Sequence, residues 1–295
     1  MDSARAPLRA TDPRITGGVT LGEARAGGRD ERPLSRVGRQ ARLDLAFLYC
    51  NGRTVLAGAY AEPPFRVGRS FVEGEGLHMI LASSAPGVFG HDRLRQSVHV
   101  GRGARVRLTS QSATQVHPSS DGATAHLRSS YHIEDGAYLH CDWHPLIPFA
   151  DARIDQRIDV TIAGGGCLYW SDALMSGRQA SGEQWRFASL AHEIAVVRDG
   201  ALDYLERYRI QPMDVDVARA WVARDASYLG TTLMIGRPIE PGVAEHIHIE
   251  LGRLNGVLAA ADRLDNRMLL VRLMSASGPA FHGARRWIGE RITSL

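Results

Sequence analysis

From residue 38 onward the chain alternates polar and apolar side chains with the period of two that half-buried strands require. Ala41-Arg42-Leu43-Asp44-Leu45-Ala46-Phe47 is the clearest run. The Asn51-Gly52 pair that follows favours a two-residue hairpin turn, and Thr54-Val55-Leu56 resumes the pattern as a returning strand. The same reading predicts strands over 66–72, 77–82, 95–100, 104–110, 124–132 and 137–141, and again over 153–162, 166–172, 184–190, 193–198 and 201–210. Turn signals such as Gly101-Arg102-Gly103, Glu134-Asp135-Gly136 and Arg198-Asp199-Gly200 punctuate them about every ten residues. That rhythm belongs to an all-β sandwich, barrel or irregular solenoid, here without a clean internal repeat.

Near the C-terminus the period changes. Pro241 to Leu254 places Val243, Ile247, Leu251 and Leu254 at helical spacing, Arg267 to Leu273 reads as a buried strand, and Pro279 to Ile292 closes with a second helix. Phe281, Trp287 and Ile288 form an apolar stripe on that last helix, suited to packing on the chain's own sheet or on a partner. Residues 1–36, rich in Arg, Gly and Pro with little periodicity, are expected to be a disordered extension. Residues 37–295 are expected to form a single β-rich domain.

Charge sharpens this picture mainly by exclusion. All 35 basic residues of the 295 are arginine. Without lysine there is no Walker A phosphate site and no Schiff-base or pyridoxal chemistry. The net charge is +3, and about two of those charges fall in the first 36 residues. The body is therefore nearly neutral and lacks the basic stripe of a nucleic-acid binder. Cys50, Cys141 and Cys167 are widely spaced with no CxxC, which fits a reducing compartment. The N-terminus has no apolar signal region, and the longest uncharged stretch, Leu77 to His91, is too short to span a bilayer. These features lead to the expectation of a cytoplasmic protein with no membrane and no nucleic-acid partner.

Chemistry-bearing residues are sparse. On a strand, His140, Asp142 and His144 would share one face about 7 Å apart, a donor set suited to nickel or zinc but one ligand short of a stable site. They support an alternative reading as a metal-dependent hydrolase on a β scaffold. His246 and Glu250 are helical neighbours best read as a salt-bridged face. His192-Glu193 is not completed to a zincin motif, because residue 196 is valine. No GxSxG and no complete dinucleotide fingerprint occurs, so no catalytic residue is assigned. What remains is a set of lone carboxylates among apolar residues: Asp92, Asp172 and Glu206. Pairing with arginine is their simplest role.

At those residues the chain resembles the UreD (UreH) family of urease accessory proteins. The resemblance rests on Gly38 to Leu45, Gly52 to Leu56, the Pro86–Asp92 loop, Thr109 to Val116, Pro145 to Arg153, Tyr169 to Asp172 with Gly177-Arg178 and Gly182-Glu183, and Leu205-Glu206-Arg207. Arg39, His91 and Gln115 depart from the family's usual residues. The resemblance implies a mostly β fold, an irregular two-layer or helical β-sheet architecture with two C-terminal α-helices. It implies a nickel-insertion chaperone that docks on apo-urease and on a UreF-type partner, through which a UreG-type GTPase is recruited. Ni2+ would then be transient cargo, with no tightly bound cofactor. The transit path would use Asp92, Asp172 and Glu206, with Thr114, Gln115 and His117 as secondary candidates. A path of separated weak sites lets an ion enter and leave, as in conducting pores. A purely structural scaffold for the maturation complex is the other reading.

Overall fold

The computed structural model describes residues 38–214 and 225–293. The expected extension over 1–36 lies outside the described residues. Two sheets make the body. The first contains β1 (Gln40–Cys50), β2 (Arg53–Ala61), β5 (Arg93–Val100), β8 (Ala125–Ile133), β11 (Arg153–Ile162), β13 (Ser189–Arg198) and β14 (Ala201–Ile210), in the order β14-β13-β11-β8-β5-β1-β2. The second contains β3 (Phe65–Glu73), β4 (Gly76–Ser83), β6 (Arg105–Ser110), β9 (Tyr138–Asp142), β12 (Cys167–Met175), β15 (Tyr228–Ile235), β16 (Leu258–Asp265) and β17 (Met268–Ser275), in the order β16-β17-β15-β12-β9-β6-β4-β3. The short strands β7 (Thr114–Val116) and β10 (Leu146–Pro148) attach beside β12.

From β4 to β13 the chain passes back and forth between the sheets, and the strands it lays side by side within each are parallel. This winding is the two-layer, helical β architecture expected from the sequence. Hairpins close the ends. The β1–β2 turn has Asn51 at φ 51° and Gly52 at φ 79°, the two left-handed positions that a type I′ turn requires.

The period of two decides which residues meet. Leu43, Leu45 and Phe47 of β1, Val98 and Val100 of β5, Ile158, Val160 and Ile162 of β11, and Ile194 and Val196 of β13 all face the second sheet. There they pack against Met79, Val106, Leu108, Leu139, Leu168 and Leu233. The other face of the second sheet is covered by α1 (Val243–Gly252) and α2 (Gly278–Thr293). Ile247 and Leu251 of α1 and Phe281, Ala284 and Ile288 of α2 are buried against Tyr169, Leu269, Val271 and Leu273. The apolar stripe of α2 thus packs on the chain's own sheet.

Several details differ from the sequence reading. The strands expected over 184–190 and 193–198 are one strand, β13. Its buried positions Leu190, His192, Ile194 and Val196 run on without a break, and residues 184–188 form the approach to it. Trp185 there has φ 54°, which no strand residue adopts. Strand β15 escaped the pattern because its last four residues, Thr232 to Ile235, are all buried, which hides the alternation. Strand β16, missed in the sequence, pairs through an alanine-rich stretch with little hydrophobic signal, and makes a hairpin with the strand expected over 267–273 between α1 and α2.

Phe281 joins α2 to the sheet, fully buried and stacked on Tyr228 at 5.3 Å, above a Gly230 whose missing side chain leaves room for the ring. Phe281→Ala is expected to cost about 3–5 kcal/mol. The measurement is the urea unfolding midpoint at unchanged denaturant slope; a midpoint equal to that of the wild type would mean that α2 is held by something else.

Candidate functional site

Polar residues interrupt the apolar inward faces along one seam. On the first sheet, Gln96 sits opposite Ser129, Gln156 opposite His192, and His192 opposite Tyr208, each at a position whose neighbours two residues away face the core. These residues line a cavity of about 410 Å³ between the sheets. From the second sheet Thr114, Gln115, Trp143, His144 and Asp172 close it. The polar groups largely satisfy one another, as burial demands. The Gln96 amide donates to the Tyr131 hydroxyl at 2.9 Å, His192 Nδ1 meets Gln156 Oε1 at 3.2 Å, and the His192 ring stacks on Tyr208 at 4.9 Å.

Asp172 is aimed inward by the alternation of β12, on the same side as the buried Trp170 and Leu174. Its carboxylate accepts the Trp170 indole N–H at 2.9 Å. Glu206 lies on β14 at the edge of this seam, its side chain 9% exposed. Arg272 of β17 reaches it from the second sheet, donating at 2.6 and 3.0 Å, and the Tyr204 hydroxyl donates at 2.7 Å. Burial alone pushes the Glu206 carboxyl up, but the Arg272 hydrogen bonds and charge outweigh it and hold the group below its ordinary value. Burial pushes the Tyr208 hydroxyl up, with Asp172 and Glu206 adding to it.

The remaining predicted residues lie elsewhere. Asp92, 3% exposed, accepts the backbone N–H of Arg39 at 2.7 Å and of Phe89 at 2.9 Å. Both carboxylate oxygens thereby latch the Pro86–His91 loop to the start of β1, and Asp92 does not line the cavity. His117 lies between Phe89, stacked at 4.5 Å, and Phe149, edge-on at 4.7 Å. Gly87 approaches that ring so closely that a Cβ there would come within 2.7 Å of it.

His140, Asp142 and His144 line a second, larger cleft of about 1180 Å³ beside α2. Asp142 is paired with Arg285 at 2.7 Å, and the buried Arg285 also donates to Ser171 Oγ at 2.8 Å. His140 stacks on Tyr169 at 4.2 Å. Burial, then Arg107 and His78, lower its pKa to about 3, so it stays neutral near neutral pH. The three do not form a convergent metal group among the described residues. Ser110, Gln111, Trp143 and His144 line both cavities and form a shared wall, in which Ser110 Oγ accepts the His144 N–H at 2.9 Å. Sequence reasoning missed Gln96, Gln156, His192 and Ser110. Their one signal was a polar residue at an inward position of a strand.

Comparison with known proteins places these features in context. A family model described as UreD urease accessory protein matches residues 39–294. A urease accessory protein UreD of Acetivibrio thermocellus is 32% identical over 180 residues, 60% of this chain and 68% of the relative. One from Deinococcus radiodurans is 29% identical over 88% of this chain and 92% of its own length. One from an Anaeromyxobacter strain is 30% identical over 89% and 90%.

Because Glu206 is held below its ordinary 4.5, its contribution to stability is complete above that pH and is lost as pH falls through the depressed value. Arg272→Met leaves the carboxylate buried without its guanidinium. The expected cost at neutral pH is about 1–3 kcal/mol, toward the low end because Arg272 is itself partly exposed. Urea unfolding of both proteins across the acid range should show the gap close as pH falls; a constant gap would separate the stability effect from this ion pair.

Proposed function

The chain belongs to the UreD family of urease accessory proteins, and from that premise we propose that it is a nickel-insertion chaperone. Docked on apo-urease and on a UreF-type partner that recruits a UreG-type GTPase, it passes Ni2+ along the polar seam between its sheets toward the urease active site. The observation that carries this reading is the cavity. Polar side chains inside a β sandwich are costly unless they are used or satisfied, and here they follow one another from strand to strand.

The donor types suit the cargo. Ni2+ accepts imidazole and oxygen ligands, and the cavity offers the Asp172 carboxylate, the His192 and His144 rings, and the amide oxygens of Gln156 and Gln115. They are spread over several strands rather than gathered into a cage, so an ion can be passed on instead of trapped. Among the described residues Asp172 is held by an indole N–H and not by a guanidinium, which leaves its charge available. His144, in the wall common to both cavities, is the natural hand-over point toward the cleft beside α2. Glu206, under Arg272, serves the end of the seam, and Asp92 serves by holding the loop that forms one rim.

The chemistry of GTP is left to the partner, in keeping with a chain that has no lysine for a phosphate site. The work belongs in the cytoplasm: Cys50, Cys141 and Cys167 are all free thiols. No helix among the described residues is long and apolar enough to cross a membrane.

Asp172→Ala and His144→Ala should each lower urease activation by about tenfold or more in a maturation assay. Co-purification with urease and the other accessory proteins should be unchanged. A protein that served only as scaffold would activate urease fully with both residues changed, and that outcome would sink the conduit.

A further inference from the structure

The outer face of the first sheet, turned away from the cavity, carries a separate cluster. His99 of β5 and His132 of β8 are direct partners in the parallel register. Each stands one residue from buried neighbours, Val98 and Val100 in one strand and Tyr131 and Ile133 in the other, so both rings point outward side by side. Their centroids are 5.3 Å apart. Glu134, just past the end of β8, folds back over the pair and meets His99 Nε2 with Oε1 at 2.8 Å. One ligand atom from each of His99, His132 and Glu134 can be chosen so that all lie within 4.8 Å of one another.

Three further observations make this more than a chance surface contact. Glu134 is fixed: its Oε2 accepts the Arg102 backbone N–H at 2.8 Å, and its own backbone N–H donates to Val100 at 3.0 Å. The strands on either side leave room, because Ala46 is the register partner of His99 and Thr161 that of His132. Among the described residues no guanidinium pairs with this carboxylate. The Arg102 side chain turns to Asp135 at 3.0 Å, whereas most carboxylates on this sheet, such as Asp155 with Arg128 and Asp159 with Arg157, are claimed by arginine.

We propose that His99, His132 and Glu134 form a surface site for a borderline divalent cation, Ni2+ or Zn2+. Two imidazoles and one carboxylate are the donors such ions favour. Ligand atoms around a tetrahedral ion stand about 3.3 Å apart, which partly exposed side chains reach by small rotations. One further position around Zn2+, or one or more around Ni2+, is left for water or a partner's side chain. The site lies on the opposite face from the seam, and nothing in it rests on the proposed conduit.

The test is isothermal titration of the full chain with NiCl2 and with ZnCl2, apart from any urease assay. The wild type should show one site that weakens at least about tenfold in Kd in His99→Ala/His132→Ala, and also in Glu134→Gln, which keeps the size of the side chain. His91→Ala, which removes a different histidine paired to Asp121, should bind like the wild type. Unchanged titrations in the double variant and in Glu134→Gln, or no wild-type binding tighter than about 1 mM, would overturn the proposal.

Discussion

Two sheets packed face to face across about 10 Å leave little space for a polar side chain without a partner. Most rows of this interior obey that limit with Leu, Ile, Val and Phe. One set of positions does not, and it is arranged so that polar groups find partners on the next strand, Gln96 with Tyr131 and Gln156 with His192, or two residues along the same strand, Trp170 with Asp172. The parallel register fixes these neighbours, since a slip by one residue would turn each of them to the outer face. The cavity and the chemistry assigned to it both depend on that pairing.

Electrostatics follow from a chain whose only strong cation is arginine. A guanidinium is broad, permanently charged and suited to forked contact with a carboxylate. It therefore commits the acids that it touches, as Arg272 does for Glu206 and Arg285 for Asp142. Asp92 is committed in another way, to two backbone amides. Asp172 is the contrasting case, an inward carboxylate whose hydrogen-bond partner among the described residues is a neutral indole. Among the three acids singled out in the sequence, the surroundings thus separate a latch, an ion pair and a carboxylate held by an indole alone among the described residues.

Much of this was legible beforehand. Alternation announced β1 and β11, and glycine-bearing turns marked their ends. The late helices were visible from the spacing of Val243, Ile247 and Leu251 and of Phe281 and Ile288. Strands whose alternation is hidden were harder: the tail of β15 is buried on both faces, and β16 offers alanines. The cavity was least legible, because a polar residue such as Gln96 or His192 within a strand reads equally well as a surface position until the partner strand is known. The register joins Gln156 to His192 and His192 to Tyr208, and register is a property of paired strands that no single segment displays.

The winding between layers has a kinetic side as well. β1 takes its parallel neighbour from β5, and β5 takes its own from β8, so each strand waits for a segment made well after it. Pairings this distant along the chain are slow to form, because loop entropy is spent before contacts return it. On the ribosome the early strands emerge with open edges and apolar faces, vulnerable to association with other chains until β11, β13 and β14 arrive to complete the first layer.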